Sequence, residues 1–360
     1  VKFYLLYVPM MWLMPNLFES EEDLYNFLKW HLFLIIPVGL LGIVQYFSPP
    51  SSWLNVYAPG GVQEVATFGS LTSRAVRVTG TFSYVNSYQG YLIVCFALIL
   101  PMFARKQAQW WRMATIAEIM LVLLNMLMNG SRTPVIASVL ILVGYAGGRL
   151  LTRPQSAIIW LSRFFPAVIV ALTVLFFGFN EAINRFLQRL RTTNDLQQRI
   201  QGNFVNPWEV IGLRLDGYGT GATHPGSTAL RTVLLLPPGE TIPFAFEQEM
   251  GRVLVELGPI GWLVWYGMRA ALIGMLALTS FQLQRPFLSQ LALVGTMVHL
   301  FLFSGQLTAH HTFAFYYWFM GGFVFMLPHL ERVDKWRQSQ QEQTQFLYDH
   351  PPYFPGPSYR

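Results

Sequence analysis

Charge is what this chain has least of. Asp, Glu, Lys and Arg make up 12% of its 360 residues, against about 25% in soluble domains. It has one cysteine, Cys95, so no intramolecular disulfide can form and cysteine usage says nothing of compartment. Set in an apolar run, Cys95 reads as a small buried hydrophobe. Lysine is nearly missing: Lys2, Lys29, Lys106 and Lys335 are all there is. There is no HExxH and no Cys/His cluster at ligand spacing, so neither a metal nor a cofactor is expected. The chain opens at Val1 inside an apolar stretch, with no basic leader and no small-residue cleavage site. No signal peptide is read there, and the natural N-terminus is expected further upstream. The net charge of +6 comes without basic runs, and no nucleic-acid partner is indicated.

What fills the chain instead is apolar. Hydrophobic residues reach 53%, mean hydropathy is +0.39, and the apolar residues fall in long blocks. A bilayer core needs about 20 such residues in a row. Segments are read at 3–18, 27–47, 84–104, 113–129, 134–151, 164–180, 252–279, 288–306 and 312–329. The first is expected to be a remnant of a longer span. The expected fold is all-α and polytopic, with about eight to nine membrane helices and a large outer loop. Residues 1–337 would form one integral membrane domain, with outer loops at 48–83 and 181–251. The tail 338–360 (QSQQEQTQ, then HPPYFPGPSYR) would be a disordered cytoplasmic end.

Sidedness follows from the short loops. Arg105, Lys106 and Arg112, then Arg149, Arg153 and Arg163, then Arg285, then Arg332, Lys335 and Arg337 fall on one side by alternation. Cations in short loops mark the cytoplasm. The acidic stretch Glu19–Asp23 falls there too, against the trend. The opposite side carries Arg74, Arg77, Arg132, Arg185, Arg189, Arg191, Arg199, Arg214, Arg231 and Arg252, and no lysine. Guanidinium binds phosphate through a bidentate fork, whereas ammonium acts as a point charge. A site for a pyrophosphate at the outer face would favour that choice. Pairing with Asp195, Glu209, Asp216 or lipid phosphate is the plainer account of any one of these arginines. Arg132 stands out because it sits in a short break between two apolar segments, Asn129-Gly130-Ser131-Arg132-Thr133-Pro134, where a charge is costly unless paired or facing a cavity.

The long outer loop divides into pieces. Ile183, Phe186, Leu187 and Leu190 recur at helical spacing among arginines in 181–200, as in a helix lying in the interface plane. Gly217, Gly219 and Gly221 form a glycine-rich turn, without the Lys-Ser/Thr of a P-loop. Glu249, Arg252 and Glu256 share one helical face, where Arg252 and Glu256 would neutralise each other at the membrane edge. Glu247 precedes them at the water boundary.

Several of these pieces, taken in order, resemble the bacterial O-antigen ligase/polymerase family over roughly 27–330. They are Gly42-Ile43-Val44-Gln45-Tyr46, then Arg77-Val78-Thr79-Gly80-Thr81-Phe82 with Asn86, then Gly130-Ser131-Arg132. Gly217-Tyr218-Gly219-Thr220-Gly221 and finally Glu256, Gly258 and Gly261 complete the set. The ligases carry His, then Asn, Ser or Gln, then nine residues before Gly-x-x-Gly. Framed on Gly258 and Gly261, Gln248 fits the second position, and Glu247 stands where the histidine would be.

The resemblance implies a GT-C-type membrane glycosyltransferase of the bacterial inner membrane with its active site facing the periplasm. It would move a glycan from an undecaprenyl-pyrophosphate carrier to a hydroxyl acceptor, in O-antigen or exopolysaccharide polymerisation or ligation. The acceptor would be another glycan or lipid A-core, and a chain-length regulator would be a partner beside the membrane lipids. Carried onto this chain, Glu247 is expected to act as the base, since a carboxylate serves that role. Arg132 and Arg199 would face the pyrophosphate. Arg77, Asn86, Arg214, Gly219, Gly221, Gln248 and Arg252 would bind substrate. Trp53, Trp208 and Tyr218 are candidates for stacking on sugars, and His224, His310 and His311 for replacing the absent histidine. Two other expectations compete: a transporter or flippase of a lipid-linked oligosaccharide, and a non-catalytic scaffold of polysaccharide export. Transport calls for charges within the spans and for paired broken helices, whereas the charges here read as lying in loops and at segment ends.

Overall fold

The computed structural model describes residues 2–55, 66–70, 73–192, 201–202, 214–224, 226–237 and 248–349. Two short turns, α1 (Lys2–Leu5) and α2 (Met10–Leu13), precede α3 (Glu21–Phe33) and α4 (Ile35–Phe47). A hairpin follows, β1 (Thr67–Ser70) and β2 (Ser73–Val76), antiparallel with Phe68 opposite Ala75. Then come α5 (Val85–Met102), α6 (Gln109–Met128), α7 (Arg132–Thr152), α8 (Pro154–Gly178) and α9 (Asn180–Thr192). The last elements are α10 (Ser227–Val233), α11 (Glu249–Gln282), α12 (Pro286–Phe301), α13 (His311–Gly321) and α14 (Phe323–Asp349).

Among the described residues, eight helical stretches are long and apolar enough to cross a membrane. They are α3 with α4, α5, α6, α7, α8, α11, α12 and α13 with α14. The chain is a multi-pass membrane protein, all-α among the described residues apart from one small hairpin. Eight of the nine apolar segments read in the sequence correspond to these helices. Helix α8 begins at Pro154 and not near 164, and the segment read as continuous at 252–279 is broken at Gly258. Proline is favoured in a first helical turn, and Arg163, read as a loop residue, lies inside α8. Segment 3–18 is not one span. It runs as broken turns along α13, α14 and α3, with Tyr7 at His311, Met11 at Gly321, Met14 at Gly322 and Phe18 on Phe27.

Helix α5 is the centre. It is 89% buried, whereas α7, α8 and α11 are 24–28% buried. Its Leu92–Leu100 run is apolar on every face, which suits a helix enclosed by others. Cys95 is fully buried there. The outer helices turn Ile136, Val139, Val143, Ile158, Phe165 and Leu263 outward, the surface a bilayer would cover. Small residues set the closest crossings. A Cβ on Gly42 of α4 would lie 2.0 Å from Asn125 Oδ1 of α6, and Asn125 donates back to the Gly39 carbonyl.

Contacts sort the helix ends into two groups. At one end Arg285 pairs with Glu21 and Asp334, both at 3.2 Å. Arg105 pairs there with Glu22. Glu331 accepts from the backbone N–H of Gln284 and Arg285, and Arg153 donates to the carbonyls of Leu283 and Gln284. The acidic stretch at 19–23 is therefore no anomaly: its carboxylates neutralise arginines from two other loops. Ser20 caps α3 by accepting from Asp23 N–H, with Glu21, Glu22 and Asp23 in the first turn where the helix dipole favours acids. The other end collects residues 45–55, the hairpin, 77–84, 129–132, 214–224 and 305–311.

The tail differs from expectation over part of its length. Helix α14 continues through 338–349, with these residues exposed wherever their burial is described. Gln and Glu are good helix formers, and no Gly or Pro interrupts until Pro351. Residues 350–360 lie outside the described residues.

Candidate functional site

The second end is built from two networks. The first begins at Gln45 in the last turn of α4. Its side-chain amide donates to the carbonyls of Leu54 and Gly80, and its Oε1 accepts from Gly80 N–H at 2.8 Å. Asn129, the C-cap of α6, donates to Val78 O at 2.9 Å and to Val85 O, while Arg77 Nε donates to Asn129 O at 3.1 Å. Gly130 takes φ +67° against the ring of Phe68, which leaves no room for a Cβ. Arg132, half-buried, opens α7 two residues later. Arg77 and Arg132 are thus joined to one turn.

The second network is made by a reversal in α11. A straight helix rises about 1.5 Å per residue, so Glu249 and Arg269 would stand about 30 Å apart. Glu249 Oε1 is instead 3.5 Å from Arg269 Nη1. The chain folds back at Gly258, whose φ is +68° and ψ 177°. Residues 249–257 are therefore a short arm lying beside 259–282. The glycine turn crosses the apex. Tyr218 N–H and Gly219 N–H donate to the carbonyls of Val255 and Glu256, which end the arm. A Cβ on Gly217 would meet Gly258 N at 2.5 Å, and one on Gly258 would meet Leu215 O at 2.2 Å. At Gly217 the missing Cβ permits the close approach of the turn to α11. Gly219 and Gly221 have open space beside them.

Glu256 is 4% exposed. Its carboxylate accepts from Gly221 N–H at 2.9 Å, from the Thr223 N–H and hydroxyl, and from Tyr4 Oη at 3.0 Å. Arg252 is not in ion-pair contact with Glu256, contrary to the expectation from helical spacing. Its Nε donates to Thr223 Oγ1 at 3.2 Å, so the threonine hydroxyl stands between the two charges. Glu249 turns the other way, into the bundle. It accepts from the Thr308 N–H and hydroxyl, and Arg269 donates onward to the Leu302 carbonyl. Both members of this pair are fully buried.

His310 lies between Asn86 of α5 and Gln306. Its Nε2 lies 2.9 Å from Gln306 Oε1 and 3.4 Å from Asn86 Nδ2. Burial, with smaller contributions from Arg252 and His311, pulls its pKa below the ordinary imidazole value. His311 Nδ1 meets Tyr7 Oη at 3.1 Å.

The remaining sequence-derived residues fall as follows. Arg214 pairs with Asp216 and sits over the Tyr218 ring, and the pairing holds the Asp216 carboxyl below its usual pKa. Arg185 pairs with Glu181 and donates to Tyr46 Oη, with Ala182 and Phe186 buried beneath it, so α9 has an apolar face; Leu187, read on that face, is exposed, and the side chain of Leu190 lies outside the described residues. Gln248 is the N-cap of the α11 arm. His224 and Trp53 are exposed. Glu247, Arg199 and Trp208 lie outside the described residues, as do the side chains of Arg74, Arg189 and Arg191.

Sequence reading missed Tyr4, Thr223, Thr308 and the Glu249–Arg269 pair. Arg269 alone carried a signal, as one charge inside the apolar run 257–281. Together with Glu118, buried in α6, it corrects the reading that charges keep to loops and span ends. No protein-family profile matches the chain, and no curated protein matches it.

Proposed function

We propose that the chain is a membrane glycosyltransferase. It takes a glycan from a lipid-pyrophosphate carrier and passes it to a hydroxyl acceptor at the glycine-turn end of the bundle. One observation carries this reading. The pieces that resemble the O-antigen ligase/polymerase family are spread from Gly42 to Gly261, yet they meet in two networks at one end. Gln45, Arg77, Gly80 and Gly130 make the first, and Gly217–Gly221 with Glu256 and Gly258 make the second, with Asn86 reaching His310 from α5.

In this reading the acceptor oxygen attacks the anomeric carbon as its proton passes to a base. The bond from that carbon to the pyrophosphate oxygen breaks, and the lipid pyrophosphate leaves with the electron pair. Arg132 and Arg77 supply fixed positive charge for the departing oxygens. Glu247 remains the base assigned on the resemblance. His310 is the second assignment, because a lowered pKa keeps its imidazole neutral and able to accept a proton near pH 7.

A second reading, a transporter of the same lipid-linked glycan, is favoured by the broken helix at Gly258 and by the buried Glu249–Arg269 pair beneath it. Proteoliposomes containing an undecaprenyl-pyrophosphate glycan separate the two. Longer lipid-linked products, or transfer to a supplied acceptor, are expected from the wild type and lost in Arg132→Ala. Loss in Glu247→Gln but not His310→Asn makes the carboxylate the base, and the reverse result makes it the imidazole. Movement of the glycan lipid between leaflets with no new glycosidic bond would overturn the transferase and leave the transporter.

A further inference from the structure

The opposite end of the bundle holds a cavity of about 250 Å³ between the α5–α6 loop and α8. Arg105, Lys106, Arg112 and Arg163 line it, with no carboxylate among the lining residues. The neutral polar groups of its wall are already occupied. Thr115 Oγ1 donates within the wall, with Gln107 Oε1 and Trp111 O both in reach, and Gln107 Nε2 donates to Met102 O. These bonds tie the loop to α6 and leave Lys106, Arg112 and Arg163 as the groups able to meet a ligand.

Other cations at this end are different. Arg285 holds two carboxylates, Lys335 lies 3.5 Å from Glu331, and Arg149 and Arg153 donate to carbonyls. The side chains of Lys106, Arg112 and Arg163 make no hydrogen bond or ion pair among the described residues. Arg105 is held by Glu22 and lies over the Tyr25 ring. Its Nη1 is nonetheless buried without a hydrogen-bond partner among the described residues, 3.8 Å from Glu21. Membrane orientation accounts for cations in this loop. It does not account for Lys106, Arg112 and Arg163 meeting around one cavity, each without an ion pair among the described residues.

Depth identifies the ligand. Trp110, two residues before Arg112 of the lining, is exposed, and Trp111 packs on Trp30 with Lys29 over its ring. Tryptophan gathers at the level of lipid headgroups. Arginine forks match phosphate oxygens, and several basic side chains at a membrane surface add their attraction. We propose that this cavity binds a phosphate group, carried by an acidic phospholipid headgroup or by a soluble phosphate.

The test uses the full chain purified in a neutral detergent. It is titrated separately with dioleoyl phosphatidylglycerol, dioleoyl phosphatidylcholine, inorganic phosphate and inorganic pyrophosphate, and native mass spectrometry reads retained ligand. Lys106→Gln, Arg112→Gln and Arg163→Gln are made singly and together, with Arg332→Gln/Arg337→Gln as a control at the same end. Retention of phosphatidylglycerol over phosphatidylcholine is expected to weaken roughly fivefold per cation removed, and on the order of a hundredfold for three. The control should stay as wild type. Retention of inorganic phosphate or pyrophosphate with the same variant dependence, without phosphatidylglycerol preference, upholds the site and assigns it a soluble ligand. Equal retention of the two lipids with no phosphate bound overturns the proposal, and so does equal weakening in the control. Should the triple variant not fold, the exposed single changes Lys106→Gln and Arg112→Gln decide alone.

Discussion

The two ends of the bundle are held together by different physics. At the ion-pair end, loops from 19–23, 105, 284–285 and 331–335 meet through partly exposed charges. Arg285 keeps 24% of its side-chain surface and Arg105 29%. At the glycine-turn end the connections are backbone reversals and buried polar groups: Gly217 against Gly258, Glu256 under the turn, and Glu249–Arg269 fully enclosed beneath them. Exposed pairs contribute little and are screened by salt. A buried charge whose partner is removed is costly. The ends should therefore respond very differently to single substitutions, even though both are rich in arginine.

The largest effect is expected at Arg269. Arg269→Met leaves Glu249 buried with only Thr308 and removes the donor to the Leu302 carbonyl. A loss of about 3–5 kcal/mol is expected, read as a fall in unfolding temperature in detergent. Adding Glu249→Leu should recover much of it. If Arg269→Met melts no earlier than a surface substitution, the contrast between the ends is not one of burial.

Next is the apex of α11. Gly217→Ala places a methyl 2.5 Å from Gly258 N and 2.6 Å from Glu256 O at a φ of +71°. Left-handed backbone costs a non-glycine residue about 1–2 kcal/mol, and overpacking about 1–3. The docked turn should lose about 2–5 kcal/mol. Hydrogen exchange at Tyr218 and Gly219 should speed up while α5 stays protected. Equal acceleration in both would mean that the turn is not a separate unit.

How much of this was legible in the sequence follows the range of each interaction. The spans were legible because bilayer-length apolar blocks depend on local composition, and even α8 was misplaced only at the end where Arg163 interrupts the block. The apolar face of α9 showed itself in part through helical spacing. The site was legible only as pieces. Helical spacing placed Arg252 against Glu256, but Thr223 stands between them, and it comes from a turn about 30 residues earlier. Tyr4 reaches Glu256 across 252 residues, and no local pattern records that. The reversal at Gly258 was hidden because Gly-Pro within an apolar run also suits a simple kink. The geometry alone brings Glu249 to Arg269.

A smaller effect sharpens the ion-pair side. Arg285→Gln removes both carboxylate contacts of a partly exposed guanidinium, and about 1 kcal/mol is expected. Unfolding temperatures measured in low and in 1 M salt should show most of that loss already present in the wild type at high salt. A salt-independent loss well above this would place Arg285 in the same class as Arg269.

The smallest effect is that of pH on His310. Its folded pKa lies below the ordinary 6.5, chiefly because burial disfavours the imidazolium. Between the two values the unfolded chain binds the proton and the folded chain does not. Stability should therefore be fully present above 6.5 and fall as the pH drops through 6.5 towards the folded value, levelling off beneath it. Other histidines add their own slopes, so the reading is the difference between wild type and His310→Asn across pH 7.5 to 5. The variant should lose stability less steeply on acidification. If His310 is the base of the proposed transfer, its neutral imidazole carries turnover to lower pH than a free histidine allows. If the two profiles run parallel in both stability and turnover, His310 is solvated and no more than a neighbour of Asn86, and Glu247 is left as the base of the proposed transfer.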